Sequence, residues 1–192
     1  NASAPTAAQV KAGKDSTDSA ALKSGSAAVT TGTFSNTFNI TGLTASTDYD
    51  VYFIAQDNAA NPNVQTTPTI ISFSTAAAPT LTSATYNATT GVLTITGTNL
   101  TSGNAVDETK FTLTGEGGDT YTLTETGAIT ASSTTNISLT LNATDKAALN
   151  PILNKAGTSS ISNTAYNLAG AANWHGTGNA DLTNNAVTVS NI

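Results

Sequence analysis

The sequence predicts an all-β fold, and three observations support this class. Thr supplies 39 of the 192 residues, and its β-branched side chain favours a pleated strand over a helix. Apolar and polar residues alternate along several short stretches, as they do on strands that bury one face. Turn-forming clusters rich in Gly and Asn separate these stretches. We therefore expect two β-sandwich domains in tandem.

The first domain is predicted over residues 1–77, where three segments have the alternation of strands. They lie at residues 34–43, 49–57 and 69–75. Residues 6–13 predict a short helix, because Thr6 and Gln9 fit a capping box and Gly13 fits the residue that follows a helix.

The second domain is predicted over residues 78–192. Pro79 follows the sequence STAAA and precedes a new alternating run, which places the boundary near residues 76–79. The turn sequence GEGGD joins two alternating runs and predicts a hairpin. The predicted strands of this domain lie at residues 81–86, 92–100, 110–124 (the hairpin), 136–142 and 185–192, with a short strand at Ile129.

A short inserted helix is predicted at about residues 144–156 of the second domain. Thr144 is the expected N-cap, Asp145 lies in the first turn, and apolar residues recur at helical spacing until Gly157. Pro151 lies inside this stretch. We expect a kink or a restart there, because proline lacks an N–H and its ring clashes with the preceding turn.

The composition argues against several classes of partner. There is no Arg, and six Lys against twelve carboxylates give a net charge of −6, which disfavours nucleic acid and polybasic membrane contacts. Cys is absent, so a disulfide framework and a thiol nucleophile are excluded. No apolar run has the roughly 18 residues that a membrane span needs. A Thr- and Asn-rich chain without Cys or Met is typical of an extracellular protein of the bacterial cell surface.

Residues 42–57, GLTASTDYDVYFIAQD, resemble the tyrosine corner of a fibronectin type III-like domain. The residues that match the pattern are Gly42, Leu43, Thr47 and Tyr49, whereas Ala45 stands where Pro is usual. The resemblance implies that Tyr49 packs its ring inward while its hydroxyl bonds to nearby backbone. It also implies that Leu43, Val51 and Phe53 are structural residues of the core.

Most of residues 80–190 resembles the Ig-like repeats of large bacterial surface proteins, such as giant adhesins and surface-layer-type proteins. The stretches that carry the resemblance are GVLTITGTNL, KFTLTGEGGDTYTLT, LNATDKAALNPILNKAGTSS and AYNLAGAANWHG. The resemblance implies an Ig-like domain with an inserted helix. It also implies a tandem-repeat protein whose partners are neighbouring repeats or further copies of itself.

The first domain departs from the fibronectin pattern in residues 1–33. These residues contain no Trp, no Tyr and no strong alternating strand, and their large apolar residues are Val10, Leu22 and Val29. In similar repeats a Pro-Thr-Ala-Ala-Gln segment falls after the first strands, so we expect the chain to open inside a domain. Asn1 in place of Met indicates a processed product or an excerpt. The missing strands then lie upstream in a longer chain or come from another subunit.

Catalytic residues are not indicated. His175 is the only His, it lies beside Trp174, and it is expected to be a surface or partly packed residue. Glu108, Glu116 and Glu125 lie in or near turns, where carboxylates are usually solvated. A glycosidase would need two carboxylates that converge across a cleft, at about 5 Å or 6.5–9.5 Å. We therefore expect no enzyme activity and no cofactor.

A structural calcium ion is the one metal that the sequence suggests, because oxygen ligands are plentiful. None of the candidates has EF-hand spacing, and GEGGD occurs once, whereas calcium β-rolls need tandem copies. The candidate carboxylates are Asp48, Asp50, Asp57, Asp107, Glu108, Asp119 and Asp181, with Asn58, Glu116 and Asn179 as neighbours.

Two further features bear on carbohydrate. Asn-x-Ser/Thr sequons begin at Asn1, Asn39, Asn87, Asn99, Asn136 and Asn142, and in a chain this rich in Asn and Thr they arise by chance. Trp174 is a candidate for a sugar platform, although a single Trp more often packs in a core.

These observations predict a non-enzymatic structural module of a surface layer, filament or long repeat protein, which acts by β packing between domains and subunits. Two alternatives remain. An adhesin module that binds glycan or host protein would expose an aromatic patch at Trp174. An accessory domain of a secreted enzyme would have a catalytic domain elsewhere in its gene.

Overall fold

The computed structural model describes residues 3–29, 37–124, 127–176, 178, 180–183 and 185–192. The protein is mostly β, and the chain divides into two compact units, unit 1 (Asn1–Ala76) and unit 2 (Ala77–Ile192). Three residues singled out in the sequence lie outside the described residues: the carboxylate Glu125, the calcium neighbour Asn179 and the sequon residue Asn1.

Unit 1 contains one helix and one two-stranded sheet among its described residues: α1 (Ala7–Lys11), β1 (Asp48–Phe53) and β2 (Thr69–Ser74). The predicted capping box is confirmed. The Thr6 hydroxyl accepts a bond from Gln9 N at 3.3 Å, and the Gln9 side chain accepts one from Thr6 N at 2.8 Å. Gly13 has a φ of 68°, as expected for the residue that ends a helix.

The strand predicted at residues 34–43 is wrong over its described part. Residues 37–43 form no strand, and residues 34–36 lie outside the described residues. A strand needs a hydrogen-bonded neighbour. The sheet of unit 1 contains only β1 and β2 among the residues described, so residues 37–43 have none.

Unit 2 contains nine strands and one α-helix among its described residues. The elements are β3 (Thr80–Asn87), β4 (Val92–Thr98), β5 (Ala105–Val106), β6 (Phe111–Thr114), β7 (Thr120–Thr122), β8 (Ile129–Thr130), β9 (Asn136–Thr140), α2 (Ala143–Ile152), β10 (Asn167–Gly170) and β11 (Ala186–Ser190). The strands predicted in this region are confirmed, whereas β5 and β10 were not predicted.

Seven of these strands form one sheet in the order β7-β6-β10-β11-β3-β4-β9, and β5 pairs with β8 in a second, two-stranded sheet. The β11–β3 pair is parallel, and the other described pairs of unit 2 are antiparallel. All seven strands contribute to one hydrophobic cluster, so the sheet curls around a shared core. Side chains that are fully buried in it include Tyr86, Leu93, Ile95, Phe111, Leu113, Ile137, Leu168 and Val187.

The inserted helix exists, but its predicted bounds are wrong. It starts earlier because Asn142, not Thr144, is the N-cap: its side chain accepts a bond from Asp145 N at 2.8 Å. It ends at Ile152 rather than near residue 156. Pro151 lies in the last turn, and the helix ends one residue after it, at Ile152, without a restart. Across the part of the chain that is described, no helix is long and apolar enough to cross a membrane.

Candidate functional site

The candidate site is one face of the β1–β2 sheet in unit 1, which we call the open face. It consists of Tyr49, Val51 and Phe53 on β1 with Ile71 and Phe73 on β2. The antiparallel register places Tyr49 opposite Phe73 and Val51 opposite Ile71. The rings of Tyr49 and Phe73 stack with centroids 6.0 Å apart. Because side chains alternate along a strand, these five share one side of the sheet.

Within the described part of unit 1, these residues do not face a filled core. Phe53 is 46% exposed, Ile71 56% and Phe73 37%, and Leu43, Tyr49 and Val51 are only half-buried. The physical reason is that a sandwich core needs a second sheet, and the described residues of unit 1 contain one sheet of two strands.

The contrast with unit 2 is sharp. Among the described residues, eight large apolar side chains of unit 1 are exposed, against three in unit 2; the eight are Leu22, Val29, Phe38, Ile40, Phe53, Ile70, Ile71 and Phe73. The buried hydrophobic core that the described residues form lies wholly in unit 2. The open face therefore belongs to a unit without its own core layer.

The tyrosine corner holds the turn before β1 in the way that the resemblance implies. The Tyr49 hydroxyl accepts a hydrogen bond from Thr44 N at 2.8 Å. The Thr75 hydroxyl, just after β2, donates to Thr44 O at 2.6 Å. Ser46 has a φ of 51° in this turn. These bonds tie residues 44–47 to the end of the hairpin, so the open face is held in place on one side.

The opposite face of the sheet is mixed: it carries Tyr52 and Ile70 as well as two of the calcium candidates, Asp48 and Asp50. The Ser74 hydroxyl donates to Asp48, and the Ser72 hydroxyl donates to Asp50 at 2.6 Å. These are cross-strand pairs in the register of the hairpin. Asp48 and Asp50 therefore stabilise the strand pairing and mark the side of the sheet that faces solvent.

The other calcium candidates are dispersed. Asp57 accepts bonds from Asn63 N at 2.8 Å and Ala59 N at 3.2 Å, and the bonds from Asn63 lower the pKa of Asp57. Asp107 caps the 3₁₀ turn Glu108–Lys110 by accepting from Thr109 N.

Three carboxylates complete the set of candidates. Asp181 accepts bonds from Leu81 N at 2.9 Å and Asn185 Nδ2 at 3.0 Å. Glu108 is buried and Asp119 is exposed. Within the described ranges, no three His, Cys, Asp or Glu residues come together in a group that could hold a metal ion.

Trp174 and His175 are both buried, which agrees with the favoured core position of Trp174 and corrects the expectation that His175 lies at the surface or is only partly packed. Trp174 has no exposed surface, so it cannot serve as a sugar platform or ligand contact; it packs 5.6 Å from the Phe111 ring. His175 is 4% exposed rather than at the surface. Its Nε2 accepts from Thr101 N at 2.9 Å, so its Nδ1 carries the proton that it donates to Ala105 O at 3.1 Å. His175 thus joins the loop at Thr101 to strand β5.

Asp145 is a buried carboxylate whose burial the sequence did not reveal. It has no exposed surface, and it accepts bonds from Tyr121 Oη at 2.9 Å, Thr124 Oγ1 at 2.8 Å and Thr124 N at 3.0 Å. It ties α2 to the end of β7. An acidic residue in the first turn of a helix is usually exposed, so nothing in the sequence marked it.

Glu116 is a second carboxylate with a structural role. Its Oε2 accepts bonds from Asn154 Nδ2 at 2.9 Å and from Ser162 N at 3.2 Å. Hydrogen bonds from the Ser162 side chain and from Asn154 lower the pKa of Glu116 from 4.5 to about 2. They join the β6–β7 hairpin to the segments that follow α2.

We predict that Glu116→Gln removes part of the acid sensitivity of unit 2. The pKa of Glu116 is lowered on folding, so its stabilising effect is present above 4.5 and is lost as the pH falls towards about 2. The wild-type chain should be more resistant to urea than the variant at about pH 7, and the difference should vanish near pH 2. Asp119→Asn is the control, because Asp119 is exposed. An equal difference at both pH values would contradict the prediction.

Two shallow depressions, of about 330 and 250 Å³, occur in unit 2. The larger is lined by residues 127–130 and 138–140, none of which is ionisable. The smaller contains one Lys, Lys146. Neither depression brings together an acid and a base among its lining residues.

The fold and the open face define a β-rich protein with one well-packed unit and one unit that exposes an apolar sheet. No protein-family model, curated protein or solved structure matches the chain.

Proposed function

We propose that this chain is a non-enzymatic structural module of an extracellular bacterial surface polymer, such as a surface layer, a filament or a long repeat protein. In this proposal both units are sandwiches of the Ig-like or fibronectin type III-like kind. Unit 1 is completed by strands that its described residues do not supply, either from the same chain or from a second copy. The protein acts by β packing between domains and subunits.

The strand order of unit 2 supports an Ig-like arrangement. Strands β9, β4 and β3 form one side of the curled sheet, and β11, β10, β6 and β7 form the other. The first strand pairs in parallel with the last strand, β11, which joins the two sides. Helix α2 lies in the segment of chain that runs from β9, on the first side of the sheet, to β10, on the second side.

The observation that carries the proposal is the open face itself. A two-stranded hairpin is at best marginally stable in water, and a large contiguous apolar patch on a soluble protein usually marks an interaction site. The apolar residues of the open face alternate along β1 with the polar Asp48 and Asp50, and although the opposite face also carries Tyr52 and Ile70, the open face is the more apolar of the two.

The kind of partner follows from the same sheet. Both outer edges of the hairpin lack a neighbouring strand among the described residues, so their backbone N–H and C=O groups are open to strand addition. The open face itself contains no charged side chain, and covering it would desolvate no charge. A β-strand or a sheet with alternating apolar residues therefore fits this surface.

The proposal is tested with a pair of neighbouring isoleucines. Ile71 lies on the open face and is 56% exposed, whereas Ile70 lies on the opposite face and is 48% exposed. We expect the full chain to associate with rising concentration in analytical ultracentrifugation, because its open faces become buried. Ile71→Asp should abolish this association, and Ile70→Asp should leave it largely intact.

Hydrogen exchange provides the second measurement. If the missing strands belong to a longer chain, the isolated protein should stay monomeric and the amides of β1 and β2 should exchange fast. The same amides should then be protected in a version that includes the upstream residues. A compact monomer with strongly protected β1 and β2 amides would contradict the proposal, because unit 1 would then need no further strands.

A further inference from the structure

Unit 2 is closed by a parallel pair made of its first and last strands. β3 and β11 are adjacent and parallel over five positions, from Ser83 opposite Ala186 to Asn87 opposite Ser190. The pairing continues past the strand ends: Ala88 N donates to Ser190 O at 3.0 Å, and the Thr89 hydroxyl donates to Asn191 O at 2.7 Å. The first and last strands of unit 2 are thus hydrogen-bonded directly to each other.

Neither strand of this pair is at an edge of the sheet. β3 has β4 on its other side, and β11 has β10. Val189 exchanges two backbone hydrogen bonds with Gly157, at 2.8 and 2.9 Å, on the side away from β3. Ser190 O instead accepts from Ala88 N, the residue after β3, on the side of β3. Because backbone groups alternate along a strand, Ala186, Thr188 and Ser190 direct their N–H and C=O groups at β3. In the sheet order, this pair alone joins β9-β4-β3 to β11-β10-β6-β7.

The bonds of the pair are shielded from water on one face. Ala84 and Tyr86 of β3 and Val187 and Val189 of β11 are each at most 2% exposed. A shielded backbone bond is harder to exchange for a bond to water than an exposed one. The pair is therefore backed by the hydrophobic core along its length.

The geometry decides how the pair responds to force. Residue 77 leads into the start of β3, and residue 192 follows the end of β11, so tension between these residues pulls at opposite ends of two parallel strands. The strands are then sheared, and their hydrogen bonds carry the force together. Force applied at the same end of both strands would instead break the bonds one after another.

We propose that the β3–β11 pair is a mechanical clamp, which gives unit 2 the further function of resisting tension along the chain. The inference takes its biological meaning from the proposed structural role, because a module in a surface polymer transmits force through its ends. The clamp is nevertheless a property of unit 2 alone, so it can be tested apart from the completion of unit 1.

The test is single-molecule stretching of the full chain in two directions. The chain has no Cys, so pairs of introduced Cys residues give unique attachment points. Ala77→Cys with Ile192→Cys loads the pair in shear. Thr90→Cys with Ile192→Cys loads it in peeling, because the turn that follows β3 lies at the same end as the end of β11. All three positions are exposed.

We expect a rupture force several times higher in shear than in peeling. A matched pair of substitutions checks the cause: Ser190→Pro removes an N–H directed at β3, and Ser190→Ala keeps it. Ser190→Pro should lower the shear force relative to Ser190→Ala. Equal forces in the two directions would overturn the clamp, as would equal forces for the two variants. The comparison of directions needs no change in the strands, and neither result depends on whether unit 1 binds a partner.

Discussion

Replacing Trp174 with Ala lowers the free energy of unfolding of unit 2 by about 4 kcal/mol, the largest effect of a single substitution that we expect. The side chain is fully buried and packs against Phe111. Gly170 lies so close that a Cβ there would be 3.0 Å from Trp174 Cδ1. A cavity left by the indole would therefore sit in the middle of a tightly packed core, where the surroundings relax only in part.

Trp174→Phe is the matched control. The indole Nε1 is buried and has no hydrogen-bond partner among the described residues. Phe removes that unpaired donor while it keeps an aromatic ring, so we expect a loss of only about 1–2 kcal/mol. Urea unfolding followed by circular dichroism measures both variants. Unchanged stability in Trp174→Ala would mean that the side chain is at the surface, as the adhesin alternative requires.

The second large effect is expected at Asp145. Asp145→Ala leaves the half-buried Tyr121 hydroxyl and the Thr124 N–H and hydroxyl without their acceptor, and we expect a loss of about 3 kcal/mol. Burial, together with the hydrogen bond to Asp145, raises the pKa of Tyr121. Loss of the carboxylate should therefore also shift the Tyr121 titration downward, which an ultraviolet pH titration would detect.

Two controls separate the lost bonds from the lost charge. Asp145→Asn keeps one acceptor oxygen but points an amide N–H₂ at the same donors, so its loss of stability should be smaller than that of Ala. Asp119→Ala changes an exposed carboxylate and should alter stability by less than about 0.5 kcal/mol. A loss at Asp145 no greater than at Asp119 would show that α2 is not held by this network.

Local sequence patterns predicted the elements whose cause is local. The strands of unit 2 with clear alternation, the capping box at Thr6 and Gln9, and the presence of an inserted helix were all predicted and are all found. In each case the signal is the spacing of side chains within one short segment, and this spacing does not depend on which other segment packs against it.

The predictions that failed depended on which groups meet across the fold. Asn142 rather than Thr144 caps α2, since both are good caps and the packing of Asp145 selects between them. The strand expected at residues 34–43 is absent over residues 37–43, because the described part of unit 1 contains no neighbour for it. The sequence likewise did not indicate β5 or β10, which are paired with β8 and with β6 and β11.

By itself, then, the sequence determined the β-rich character of the protein, its low charge and the alternation that makes one face of each strand apolar. Only the tertiary structure decided where those faces lie. In unit 2 seven strands cover one another and bury Trp174, His175 and Asp145, whereas in unit 1 the equally apolar face of β1 and β2 stays exposed. The physical reason is that alternation specifies which side of a strand prefers burial, but burial itself requires a second layer that the strand does not carry.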